Sequence, residues 1–380
     1  MAGKFRADHV GSLLRPPELL QARADLKEGR ISQEQYRRVE DESVLKALEL
    51  QRQAGLDVFT DGEYRRTIWY APLSDAVEGL IQDPSPAIPA GGFRGGGWQG
   101  RGAELAAQAM QAVGGAGLVV SAKIRQVRRL SEDSRFLKRH APGPWKITIP
   151  GVMMRVPGWF KPGLTDRFYA TREDLINEFV GLVRGEIKAL IDEGCSYFQL
   201  DSLLYVIYQG RMREGMQRFG QDPDRLLDET IAVDNATLAG FRGTPGLTIG
   251  LHMCRGNNRS AWATEGSYEA CAERAFQQLD VDRFLLEYDT ERAGGFEPLR
   301  FMPRDKMVVL GLISSKEPQL EPVDELRRRI DEAAKYVPIE NLAISPQCGF
   351  ASTDLGNLLT WDEQRRKLEL IAETARRVWG

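Results

Sequence analysis

The chain of 380 residues carries 51 Lys and Arg against 54 Asp and Glu, a net charge of −3, and is 42% hydrophobic and 28% charged. That balance belongs to a folded, water-facing protein and offers no basic surface to nucleic acid or an anionic membrane. Apolar stretches fall far short of the ~20 residues that span a bilayer, the N-terminus lacks the apolar segment of a secretory signal, and four scattered cysteines make no disulfide framework. A cytoplasmic setting is expected, with no nucleic-acid and no membrane partner.

Short apolar runs alternate with longer amphipathic segments along the chain. Strands are expected around residues 6–12, 58–63, 146–150, 196–201, 247–254, 283–287, 307–314 and 342–348. Residues 13–57 hold two helical stretches, including Gln33 to Gln53, and should flank or cap the strands. Residues 83–117 are rich in Pro, Gly and Ala around Gly91–Trp98 and read as a surface loop. A run at 118–123 should form a hairpin outside the eight strands, so the insertion covers about 83–130.

The segment from Thr171 shows the helical type. Leu175, Ile176, Phe179, Val180, Val183, Ile187, Leu190 and Ile191 recur at three- and four-residue steps and build one apolar stripe. Thr171 with Asp174 has the spacing of a capping box, and Gly194 suits the stop. A strand candidate follows at once. Helix, glycine, strand, polar residue is the rhythm of parallel α/β units.

Eight such strands predict an α/β fold, a (β/α)8 TIM barrel over residues 1–380, with an N-terminal helical extension and the inserted glycine-rich loop and hairpin. The runs end on Ser12, Glu63, Pro150, Asp201, Cys254, Glu287, Ser314 and Cys348. In a barrel these ends ring one mouth, where catalytic groups gather. Five of the eight are acids or thiols. His252 and Cys254 lie two apart on one run, so their side chains emerge on one face, and Cys348 ends another. Imidazole nitrogen and thiolate sulfur are the usual ligands of zinc. Cys195, before a strand, and Cys271, in a helical stretch, read as structural.

Taken together the runs resemble the catalytic barrel of the cobalamin-independent methionine synthase family, in a short form with one barrel. The resemblance rests on His9-Val10-Gly11-Ser12, Asp61-Gly62-Glu63-Tyr64-Arg65-Arg66, Gln199-Leu200-Asp201, His252-Met253-Cys254, Leu286-Glu287-Tyr288-Asp289 and Pro346-Gln347-Cys348-Gly349. It implies a Zn2+ cofactor held by His252, Cys254, Cys348 and Glu287, with Asp289 and Glu291 as rivals for the glutamate. It implies that Val10, Gly11, Ser12, Glu63 and Asp201 hold the amino-acid part of homocysteine, two carboxylates pairing with the ammonium. Asp201 and Ser314 take the catalytic positions, although the family carries a histidine where Ser314 stands. The family's acids after the fourth strand are replaced by Ser202 through Ile207. Trp159 is the candidate to stack on a planar donor.

The implied activity is zinc-dependent methyl transfer to homocysteine, giving methionine, from methyltetrahydrofolate or another methyl donor. The alternatives are a zinc-thiolate transferase acting on another thiol or an electrophile such as an epoxide, and a non-catalytic zinc-binding protein.

Overall fold

A computed structural model describes residues 4–83, 117–131, 134–207, 210–218 and 220–380. The glycine-rich run Gly91–Trp98 lies outside the described residues. The expected hairpin is present and starts earlier than the sequence suggests: β1 (Val77–Asp83) pairs antiparallel with β2 (Gly117–Gln126).

Six parallel strands follow in sequential order, β3 (Lys146–Pro150), β4 (Tyr197–Ser202), β5 (Thr248–Met253), β6 (Arg283–Glu287), β7 (Met307–Ile313) and β8 (Leu342–Pro346). β3, β4, β5, β6 and β8 are buried at every residue, as strands covered on both faces must be. The expectation of eight strands needs correction at the first two. Residues around Ala7 and Phe59 each make one parallel bridge, to Ile344 and Trp145. Even so, they close the ring. Asp8 N donates to Ile344 O at 3.0 Å, Asp57 N to Ala7 O at 3.0 Å, and Phe59 N to Pro144 O at 2.9 Å. Side chains take donors that a longer ladder would use: Asp57 accepts from the amides of Arg6 and Ala7, and Gln51 from that of Thr60.

Helices alternate with the strands on the outside. In Arg172–Glu193 the expected capping box is made, with Asp174 N donating to Thr171 Oγ1 at 3.1 Å and Thr171 N to Asp174 Oδ2 at 3.0 Å. Gly194 ends it at φ 84°, a left-handed turn that glycine adopts without cost. The helices Pro17–Lys27 and Gln33–Ala54 form the N-terminal extension. Two cores result. The larger lies between strands and helices. The smaller is inside the ring, from Val10, Val58, Tyr197, Leu285, Val309 and Ala343, each from a different segment. Among the described residues no helix is long and apolar enough to cross a membrane.

Candidate metal centre

The parallel register aligns strand ends. Asp201 on β4 is paired with His252 on β5, and Glu287 on β6 with Gly311 on β7. Cys254 and Cys348 stand just past the ends of β5 and β8, where the chain is free to turn its side chains over the mouth. One ligand atom from each of His252, Cys254, Glu287 and Cys348 lies within 4.8 Å of the other three, and all four residues are buried. The two sulfurs are 3.3 Å apart as free thiols. Among the described residues neither rival joins this group: Glu291 is exposed, and Asp289, which shares Arg292 with Glu287, is not one of the four.

Orientation of the imidazole favours a metal. Nδ1 is 3.3 Å from the carbonyl of Leu285, and since a carbonyl only accepts, Nδ1 is the donor. Nε2 is buried without a hydrogen-bond partner. A histidine whose second nitrogen is fixed by a carbonyl is the arrangement a metal site requires. Gly256 N donates to Cys254 Sγ at 3.2 Å, and Arg255 N donates to Glu287 Oε1 at 2.6 Å. Burial alone would raise the Glu287 carboxyl, but Arg292, Lys316, Arg255 and His252 outweigh it and hold it below its ordinary value. The hydrogen bond from Cys254 brings the Cys348 thiol down to about 5 against burial, and the same bond pushes Cys254 far up. Burial disfavours charge on His252, yet Cys348, Asp201 and Glu287 raise it to about 9. Glu287 and Cys348 are thus the two groups of the cluster held below their ordinary values, the ones readiest to meet a cation as anions. A divalent ion of nitrogen and sulfur preference fits this donor set.

The expected substrate residues extend from the cluster. Ser12 abuts the Cys348 loop: a Cβ on Gly349 would fall 1.9 Å from Ser12 Oγ, so only glycine permits that approach. Gly11 also lies close to Glu63, its absent Cβ falling 2.9 Å from Oε1, at φ 151°. Val10 turns into the small barrel core, and its carbonyl accepts from Gln199 Nε2 at 2.8 Å. Glu63 adopts φ 61°, uncommon for a side chain with a Cβ. Its neighbours hold it there: Leu13 N donates to Gly62 O at 3.0 Å and Arg15 Nη2 to Glu63 O at 3.1 Å. Such strain, retained where surroundings enforce it, is common at functional sites. Glu63 Oε1 accepts from Thr148 at 3.0 Å, while Oε2 has no hydrogen-bond partner and lies 3.7 Å from Arg66 Nε. Asp201 accepts from Gln199 Nε2 at 2.7 Å. Burial, with Glu63 adding to it, raises Asp201 to about 7.

Two expected residues sit differently. Trp159 is 2% exposed and packs edge-on against Phe179 at 5.3 Å. Its placement is that of a core side chain under the hairpin, because the short turn Val156–Trp159 folds back on Arg172–Glu193. Ser314 caps the turn after β7, its Oγ accepting from Lys316 N at 3.3 Å. Sequence patterns gave no place in the candidate centre to Lys316, Asn257, Arg255 and Arg292, whose charges and amides surround the four residues. The faint signal was a cation directly after Cys254 and another two residues after Ser314.

Comparison with known proteins follows the same lines. Residues 5–94 and 164–377 match the family described as "Cobalamin-independent synthase, Catalytic domain". The uncharacterized protein YxjH of Bacillus subtilis is 37% identical over 378 residues, covering 99% of this chain and 95% of that one. The crystal structure of the putative vitamin-B12 independent methionine synthase from Listeria monocytogenes superposes with a TM-score of 0.71 at 28% identity, over 100% of this chain and 99% of that one. The 5-methyltetrahydropteroyltriglutamate–homocysteine methyltransferase of Bacillus velezensis is 22% identical over 366 residues, 94% of this chain but 42% of that longer enzyme.

Proposed function

Because this chain belongs to the cobalamin-independent synthase catalytic-domain family, we propose that residues 1–380 form one zinc-dependent methyltransferase unit that converts homocysteine to methionine. The donor is methyltetrahydrofolate or another methyl compound. One observation carries the proposal: four buried ligand atoms of zinc type within 4.8 Å of one another, the imidazole nitrogen among them without another partner.

His252, Cys254, Glu287 and Cys348 would hold the ion. Zinc bound there would supply the charge that keeps a substrate thiol deprotonated at neutral pH, where a free thiol of pKa about 8.5 is mostly protonated. The remaining work falls to the protein. Glu63 and Asp201 receive the α-ammonium, which adds a cation beside two carboxyls that burial holds above their ordinary values. Ser12 and the Gly11 backbone border the same space and would hold the α-carboxylate. With both ends of the amino acid fixed, the sulfur is directed to the donor carbon, which lowers the entropic part of the barrier. Enclosure of the cluster keeps water from competing as nucleophile.

Metal analysis of the purified protein should find about one zinc per chain, the stoichiometry of one four-ligand site. Cys348→Ser should abolish it, and isothermal titration should detect homocysteine binding with proton release in the zinc-loaded protein. A folded protein without affinity for zinc would overturn the proposal. Assays pairing homocysteine with each donor then identify the methyl source.

A further inference from the structure

The four candidate ligands come from three segments of the ring, with His252 on β5 and Glu287 on β6. Cys254 belongs to the turn after β5 and Cys348 to the turn after β8; neither lies on a strand. One set of side chains ties these turns together. Lys316, in the turn after β7, donates from Nζ to Gly256 O at 3.1 Å and to Asn257 Oδ1 at 2.9 Å. Asn257 in turn donates from Nδ2 to Gly349 O at 2.7 Å. The amide orientation is unambiguous, since an ammonium only donates and a carbonyl only accepts. Ser315 Oγ reaches the same Gly349 carbonyl at 3.0 Å. Lys316 and Asn257 are 4% and 5% exposed, so their bonds have little competition from water.

We propose that Lys316 and Asn257 are positioning residues for the metal centre, a clasp that holds the Cys254 and Cys348 turns together before the ion binds. The inference rests on the zinc reading above. Gly256 is the residue whose amide bonds Cys254 Sγ, and Gly349 is bonded directly to Cys348, so each end of the clasp is one step from a sulfur. Without it, closing the two turns around the ion would be charged to the binding free energy. The end of β7 thus contributes support to the centre rather than an acid or base at Ser314. Lys316 acts mainly by position.

Zinc affinity, measured by competition with a chromophoric chelator on the metal-free full chain, is the test. Asn257→Ala and Lys316→Met are each expected to weaken zinc binding about 10- to 100-fold, the range of outer-shell partners. The double variant should bind no more weakly than the poorer single one, because both break one connection. Unchanged affinity in both single variants, whatever their melting temperatures, makes these residues merely structural and overturns the clasp. Simple multiplication of the two losses in the double variant overturns it as well. Should Lys316→Met fail to fold, Asn257→Ser carries the comparison, with a tenfold loss expected and none overturning. A wild-type protein that binds no zinc would defeat the functional proposal itself, whereas wild-type binding with unaffected variants defeats the clasp alone.

Discussion

Glu63 and Asp201 illustrate what single residues contribute. Both are buried, both carboxyls are raised by burial, and Glu63 Oε2 lacks a hydrogen-bond partner. A buried carboxyl in that condition is costly unless a ligand completes it. Glu63→Gln and Asp201→Asn should each weaken homocysteine binding by roughly tenfold or more, as expected for a charge-assisted hydrogen bond of about 1.5–3 kcal/mol. Titration calorimetry checks this on zinc-loaded protein, and zinc content should stay at the wild-type level. Both acids were legible in sequence as polar ends of apolar runs. The left-handed backbone of Glu63 was not, because nothing local favours it. It is imposed by Leu13 and Arg15, about fifty positions away.

At the scale of elements, the close approach of β6, β7 and β8 under the centre depends on a missing side chain. A Cβ on Gly311 would lie 2.7 Å from Gln347 Cα and 2.8 Å from Leu286 O. Those neighbours adjoin Cys348 and Glu287. Gly311→Ala should therefore cost about 1–3 kcal/mol through overpacking, seen as a lower midpoint in urea unfolding, and should weaken zinc binding by spreading the two ligands. Helical elements were the most readable, since the stripe, capping box and terminal glycine of Arg172–Glu193 are local features. The first two barrel strands were the least. Asp57 and Gln51 side chains take the amides that a ladder would have used, and which side chain reaches which amide depends on the fold.

For the whole molecule, the ring is closed around a buried charged group. Asp8 accepts from Lys146 at 2.8 Å and lies 3.3 Å from Arg283, with all three side chains fully buried. Lys146 also bonds Gln199 at 3.0 Å, and Gln199 bonds Asp201, so the closure connects to the mouth. Asp8→Ala leaves two cations without their acid, and should cost about 3–5 kcal/mol in denaturant unfolding. A second buried acid makes global stability depend on pH. Burial raises Asp234 to about 7, with the hydrogen bond from Tyr205 only partly opposing it. Between the unfolded value and about 7 the native state holds the extra proton, so stability falls as pH rises, by up to about 1.4 kcal/mol per unit. Asp201, raised to the same value, adds a like share, so Asp234→Asn should reduce that slope between pH 4 and 7 without abolishing it; an unchanged slope would show that Asp234 does not titrate there.

Sequence by itself determined the parallel α/β plan, the helices with their caps, and the residue types available for a metal. These follow from periodicity and from side-chain chemistry, which are local. It also singled out His252, Cys254, Glu287 and Cys348 as one group through family resemblance. Tertiary structure decided that their ligand atoms lie within 4.8 Å, that Nε2 of His252 is left open, and that Lys316 and Asn257 brace the turns carrying both thiols. The reason is physical. Convergence at a barrel mouth depends on ring closure and strand register, and a bond between residues 92 positions apart, such as Asn257 to Gly349, has no signature in either neighbourhood.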